Sequence, residues 1–422
     1  MNRKNKVSCK TPFGMTERKL IEKIVMQGVT WSPLKCSCVV DKVGADCLTE
    51  HKYVYVYKEK VEITPLSYVD DLLALVECGV KSVETNSYIN RKIECHKLWF
   101  GEAKCHSIHV GEQNENCPAL KIHPTDSGRK GNMLKVTEDK YVGDLISESG
   151  TNKRNIEDRV SKAIGLMSQV LAILNDTSLG YHYFEIFVTL RNVIFISSFL
   201  TNCECWYNVT EGEIRSLEDV DKTMIRRALN LPFSTPVEFL YNELGIMRIR
   251  DIIQYRRVMF LHYLLNRPEQ ELLYRFFMAQ LRDPTEDDWC LTVQDDLQQL
   301  NITLSFDDIK ALKKEKYKSI VKEAIEKKAF QDLQKMKENH SKGKEIVYGS
   351  LQMRKYLTST NISVEKAKLL LQLRSRMAPF RENYRGMYPS DSTCPLCESG
   401  TADTQQHIIA CPEMKLQSSE KI

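Results

Sequence analysis

The chain has 422 residues, enough for two to four domains and a sizeable core. Apolar residues make up 42% and charged residues 27%, a balance that excludes a disordered chain. The net charge of +4 excludes attraction to a polyanion by overall charge, so any nucleic-acid role has to rest on local patches.

The start, Met1-Asn2-Arg3-Lys4, is basic with no apolar run behind it. That predicts no secretory leader and places the chain in the nucleus or cytoplasm. The 14 cysteines are scattered through apolar segments apart from one terminal cluster, as expected of reduced thiols. Thr11 to Gly14 reads as a turn, and Leu20 to Val25 as a strand or short helix. Gln27-Gly28 follows, where glycine lets the backbone pass close to a ligand. Ser32 and Pro33 suit the N-cap and first turn of a helix expected over about 34–44.

Val61 to Val76 consists of two apolar runs broken by Tyr68-Val69-Asp70-Asp71. The expectation is a β-hairpin with Asp70 and Asp71 at its tip, and Leu72 to Val76 as a buried strand. Burying an unpaired carboxylate costs roughly several kcal/mol, and a divalent cation would compensate. Neighbours along a strand point to opposite faces, so Asp70 is the better placed of the pair to face a metal. An ordinary Asp-bearing turn explains the same four residues.

Residues 82–98 carry helical apolar spacing at Val83, Tyr88, Ile89 and Ile93. Lys104 to Val110 alternates like a strand, which puts His106 and His109 on opposite faces and argues against a metal site there. Residues 111–135 predict a hairpin with its loop over 124–131, and Tyr141-Val142-Gly143-Asp144 a second tight turn. From Asn152 to about Gln280 the pattern is helical. Residues 181–202 read as a central buried helix, because Glu185, Arg191 and Asn192 interrupt them too often for a membrane span.

Between Lys310 and Lys344 there are 12 lysines and 5 acidic residues at helical spacing. A solvated helix with internal ion pairs and an electrostatic track for nucleic acid both fit. After a helix over 364–376 comes Arg374-Ser-Arg376-Met-Ala-Pro-Phe-Arg381-Glu-Asn-Tyr384-Arg385. Its arginines suit phosphate and its aromatics suit base stacking. The chain then reaches Cys394, Cys397, His407 and Cys411. Four soft or borderline donors within 18 residues suit a closed tetrahedral Zn²⁺ site.

The order Gln27-Gly28-x-x-x-Ser32-Pro33, then Tyr68-x-Asp70-Asp71, resembles the second and third palm motifs of reverse transcriptases. The terminal Cys-x2-Cys-x9-His-x3-Cys is similar to the knuckle that closes many LINE-type (non-LTR) retrotransposon polymerases. The resemblance implies an α+β fold: a partial polymerase palm with a small antiparallel sheet over 1–110, and a primer-grip-like hairpin region over 111–150. An all-α thumb would follow over 151–280, a helical connection with the lysine-rich helix over 281–380, and a CCHC zinc module over 381–422. It implies RNA-directed DNA polymerisation by two Mg²⁺ ions, with Asp70 and Asp71 as catalytic carboxylates, Asp70 a magnesium ligand and Lys104 the fourth-motif lysine. Gln27, Gly28, Ser32, Pro33 and Tyr68 would line the nucleotide and template site, and Tyr141 and Gly143 the primer grip. Arg374, Arg376, Arg381, Tyr384 and Arg385 are the expected nucleic-acid contacts. The partners would be an RNA template, a DNA primer or target and deoxynucleotides, with no membrane. The family's other catalytic aspartate stands upstream of the Gln-Gly motif in an aromatic-x-Asp context. Here the only acids before Gln27 are Glu17 and Glu22. The expectation is therefore a C-terminal polymerase portion without activity of its own. The alternative is a nucleic-acid-binding module made of thumb and knuckle.

Overall fold

The computed structural model describes residues 5–8, 10, 11, 14, 15, 17, 19–21, 32–50, 54–77, 79–96, 98–111, 118–122, 131–175, 180, 182–339, 348–378, 380–384, 392–397 and 399–414. The fold is mixed α+β and mostly helical, with small sheets. Residues 1–155 and 268–285 form one compact unit, and residues 156–267 and 286–422 form the other.

The first unit holds all the described strands except one isolated bridge near the C-terminus, and every described sheet has two strands. Six of the pairs are antiparallel, and His106–Ser107 pairs in parallel with Leu134–Lys135. Two helices, Ser32–Thr49 and Val80–Cys95, bury Val43 and Cys47 against Tyr88, Ile89 and Ile93. The first helix runs past the expected stop at Gly44. A glycine there weakens the helix by about 1 kcal/mol relative to alanine. The packing of Val43 and Cys47 on either side carries the helix through it, and a Cβ at Gly44 would stand 3.7 Å from the Pro65 carbonyl oxygen. The Leu272–Arg282 helix also packs in this unit, with Ala279 against Val61 and Ile63 and the Phe276 ring stacked 4.3 Å from Tyr57.

Two hairpins share one sequence pattern and one register across a two-residue turn. Leu66–Tyr68 pairs with Asp71–Leu73, so that Tyr68 faces Asp71 across Val69-Asp70. Glu138–Tyr141 pairs with Asp144–Ser147, so that Tyr141 faces Asp144 across Val142-Gly143. Both turns put valine in the left-handed region, Val69 at φ 59° and Val142 at φ 48°. A β-branched residue is strained there. With Gly143 at φ 88°, the second turn has two positive φ angles, the requirement of a type I′ turn, which favours Asn-Gly. Val142→Asn is therefore expected to stabilise the first unit by about 1 kcal/mol. A urea midpoint that stays put or falls would show that the turn is not strained.

The strand expected over 72–76 ends at Leu73, and the 104–110 segment begins as a 3₁₀ turn, Glu102–Lys104, before its two-residue strand. Among the described residues neither apolar run has a third strand beside it to extend its ladder.

The second unit is helical around one large core. Phe184, Phe187, Phe195, Phe199, Leu217, Met224, Leu240 and Ile249 are all at most 1% exposed. The expected 181–202 helix is broken in register: α-helix over Tyr183–Leu190, a π turn over Arg191–Ile196, then α again over Ser197–Phe199. The π turn begins at Arg191, a guanidinium that is 1% exposed and reaches Asp221. Further on, Glu211–Leu229 opens on a capping box between Thr210 and Glu213. Val237–Leu244 ends at Gly245, φ 64°, where a Cβ would collide with the backbone of Gln352 and Met353. Only glycine lets residues 350–354 cross so close to that helix end.

Candidate functional site

The Asp-Asp hairpin stands as expected. Asp70 and Asp71 are exposed at its tip, and Tyr68 is 60% exposed. The tight two-residue turn holds both carboxylates out of the core, so neither bears the desolvation cost of a buried acid. Among the described residues, side-chain hydrogen bonds tie this hairpin to two other elements. The Ser67 hydroxyl donates to Asp41 Oδ1 of the 32–49 helix at 2.9 Å. The Tyr141 hydroxyl, from the second hairpin, donates to the Leu66 carbonyl at 3.3 Å. Burial pushes the Tyr141 phenol up, and the charge on Asp71 adds to the shift. Thus Tyr141 reaches the acidic hairpin, although 70 residues separate it from Asp71.

The other residues expected at this site are less gathered. Gln27 and Gly28 lie outside the described residues. Ser32 and Pro33 open the 32–49 helix. Gly143 forms the second turn. Lys104 ends the 3₁₀ turn in solvent, and among the described residues no hydrogen bond or ion pair joins it to the hairpin. Nor do Asp70 and Asp71 share a group of three potential ligands: among the described residues such a group exists only at the C-terminus.

That group is Cys394, Cys397, His407 and Cys411, whose donor atoms all lie within 4.8 Å of one another. Tetrahedral zinc with thiolate bonds of 2.3 Å needs donors about 3.8 Å apart, so the four are gathered to nearly the required spacing. The local chain explains the assembly. Thr393 and Ala402 form an antiparallel bridge, the Cys394 amide donates to the Thr401 carbonyl at 2.8 Å, and Gly400 makes the return at φ 69°. The Leu396 amide also points at Cys394 Sγ, 3.4 Å away. The Thr404 hydroxyl caps the Gln405–Ala410 helix by accepting from the His407 amide at 3.0 Å. That sets the His407 ring over the cysteines, with Nε2 3.3 Å from Cys397 Sγ. Cys394 and Cys411 are buried. Hydrogen bonds from Ser399, with smaller help from His407 and Cys411, lower the Cys397 thiol to about 6. A thiolate is the form a metal takes. The Cys3His set could hold one metal ion, with protein donors for all four positions of a tetrahedral site.

The basic–aromatic stretch before the module divides. Arg374 is turned inward: Nε and Nη2 donate to Glu243 Oε1 at 3.1 and 2.9 Å. Glu243 is fully buried and also accepts from the Tyr348 hydroxyl at 2.8 Å and the Tyr356 hydroxyl at 2.6 Å. Burial first, then the Glu243 charge, pushes both phenols well up. Arg381 is built into the metal module, its amide donating to Asp403 Oδ2 at 2.9 Å and Nη1 to the Thr393 carbonyl at 3.3 Å. Arg376 is half-buried and Tyr384 ends a 3₁₀ turn, while Arg385 lies outside the described residues. Glu243 and Asp403 are not legible as anchors in the sequence because each meets its arginine only through the fold. Their sequence neighbourhoods carry no signal.

In the lysine-rich helix, Lys314–Glu338, the buried positions Tyr317, Val321, Ile325, Ala329 and Leu333 recur every fourth residue. Its ion pairs include Lys322–Glu326 and Lys328–Asp332. Among the described residues no helix is long and apolar enough to cross a membrane. A scan against protein-family models and a search of curated proteins returned no match for this chain.

Proposed function

We propose that the chain carries palm, thumb and terminal zinc module of a reverse transcriptase of the non-LTR retrotransposon kind. In it the Asp70-Asp71 hairpin is one half of a two-metal nucleotidyl-transfer site. The observation that carries the reading is the exposed Tyr-Val-Asp-Asp tip with Tyr141 hydrogen-bonded at its base. The tight turn leaves Asp70 and Asp71 exposed at the tip, where Mg²⁺ held by Asp70 would stabilise the attacking and leaving oxygens of the transferred phosphoryl group. This chemistry needs a carboxylate from a second strand, and no third ligand joins the hairpin among the described residues. In this reading the hairpin by itself does not extend a primer, and the thumb and zinc module hold RNA and DNA. The metal in the Cys3His site is Zn²⁺, favoured by three thiolates and one imidazole. The other thiols suit a reducing compartment, nucleus or cytoplasm.

Two measurements test this. A primer–template with deoxynucleotides and Mg²⁺ should stay unextended. Extension that disappears in Asp70→Ala would mean that the chain holds a complete site. Binding to an RNA–DNA duplex should weaken by about 10³-fold or more between 50 and 200 mM salt if six or more phosphates are contacted. Absent or salt-insensitive binding would remove both the polymerase reading and its alternative, a non-catalytic nucleic-acid-binding module.

A further inference from the structure

The lysine-rich helix, Lys314–Glu338, has two unlike halves. From Lys310 to Lys322 there are six lysines and one acid, Glu315. From Glu323 to Glu338 there are four lysines and four acids. The second half is tied into the fold. Lys328 reaches Asp332 at 3.3 Å, Asp332 also accepts from the buried Arg248 at 2.9 Å, and Lys337 is buried beside the Tyr348 ring. Interleaved charges produce such pairs on a solvated helix.

The first half does not follow that pattern. Lys313, Lys314, Lys316 and Lys318 are exposed, and among the described residues their side chains have no ion-pair partner. Lys314, Lys318 and Lys322 follow one another at four-residue steps. They stand in one row, about 6 Å apart along the helix. Like charges at that spacing destabilise a helix. Lys322 meets Glu326 at 3.6 Å, and both side chains are exposed, so water competes for the pair.

The backbone beneath the row is fixed. Tyr317 and Val321 are fully buried, and the Tyr317 hydroxyl donates to the Val258 carbonyl of the 249–265 helix at 3.3 Å. The turn before the row is tied to the same helix, with His262 Nε2 2.9 Å from the Leu312 carbonyl. The helix cannot rotate to spread its charges apart.

A fixed row of cations complements a partner whose negative charges also repeat along a line. A single carboxylate or free phosphate would neutralise one lysine and leave the others repelling. The backbone of a nucleic acid offers one phosphate after another, and lysines that replace its counterions release them to solution. Lysine acts there as a point charge, so the contact carries no base sequence.

We propose that Lys314, Lys318 and Lys322 form a track for the phosphate backbone of nucleic acid. The track rests on the reading that this chain holds RNA and DNA, and it assigns part of that binding to one face of one helix.

The test is fluorescence anisotropy of the full chain with a labelled RNA–DNA duplex at several salt concentrations. The triple variant Lys314→Ala, Lys318→Ala, Lys322→Ala should weaken binding at least about tenfold, and the slope of log K against log salt should fall by about 2 to 3. A duplex of different sequence should give the same values. The control triple Lys316→Ala, Lys327→Ala, Lys366→Ala loses the same charge from exposed positions outside the row, and should weaken binding by less than about threefold. The urea midpoint of the row variant should equal or exceed the parent's, because alanine favours the helix and the repulsion is gone. If that variant is less stable, Lys318→Ala alone replaces it, with an expected slope loss of about 1. Equal weakening by the row and control variants overturns the track, as does unchanged binding by the row variant; the nucleic-acid reading then survives with another surface. Absence of duplex binding by the parent removes both. Binding to phosphatidylserine vesicles but not to the duplex, lost in the row variant, would make the row a membrane contact and also overturn the proposal.

Discussion

Replacing Asp221 by alanine is expected to destabilise the helical unit by about 3–5 kcal/mol, the range seen when one partner of a buried ion pair is removed. Arg191 is 1% exposed and Asp221 fully buried. Nε and Nη2 of Arg191 donate to the two carboxylate oxygens at 2.8 and 2.7 Å, and Nη2 also donates to the Met247 carbonyl at 3.1 Å. The Tyr241 hydroxyl adds a further bond to Asp221 at 3.0 Å. Burial works against the charge on Arg191, and the charge and hydrogen bonds of Asp221 more than offset it. Alanine at 221 strands a buried guanidinium and leaves the Tyr241 hydroxyl without its acceptor. The double variant Arg191→Met, Asp221→Leu keeps the volume and removes both charges, so it should lie much closer to the parent. Urea unfolding followed by circular dichroism checks this. A single variant within 1 kcal/mol of the parent would mean that water reaches Arg191.

The second large effect is at the metal. Cys411→Ser, or chelation of the parent chain, should release one equivalent of Zn²⁺ and abolish the order of residues 392–414. The helices before residue 378 should keep their melting transition. The module has little core of its own: one isolated bridge, a six-residue helix, and Cys394 and Cys411 as its buried apolar side chains. Structural zinc supplies about 10–16 kcal/mol in small zinc-finger peptides, far more than these contacts can replace. Metal analysis gives the stoichiometry, and limited proteolysis within residues 392–414 reports the order. If chelation also melts the 289–338 helices, the module is part of the helical core rather than a metal-dependent appendage. Full metal retention in Cys411→Ser would exclude that cysteine as a ligand.

Local chemistry was legible wherever the determinants lie close together in the chain. Cys394, Cys397, His407 and Cys411 fall within 18 residues, so their spacing alone announces a ligand set. Tyr68 to Asp71 announces its turn because hairpin register depends on two residues. The helical pattern from Asn152 to about Gln280 is found as helices that include Glu211–Leu229 and Ile249–Leu265, since an amphipathic face is a property of a single segment.

What the tertiary structure alone decided are the partners. Arg374 looks like a phosphate ligand in its basic stretch, yet a buried carboxylate 131 residues away claims it. Arg191 looks like an interruption in an apolar helix, and it anchors a buried pair with a π turn at its base. Tyr141 meets the acidic hairpin, and Gln254 and Arg257 of one helix meet Asp296 of another, only because separate elements pack together. The physical reason is common to all four. Secondary structure and metal spacing follow from short-range periodicity, whereas the pairing of a buried charge is set by which other polar group the fold leaves beside it.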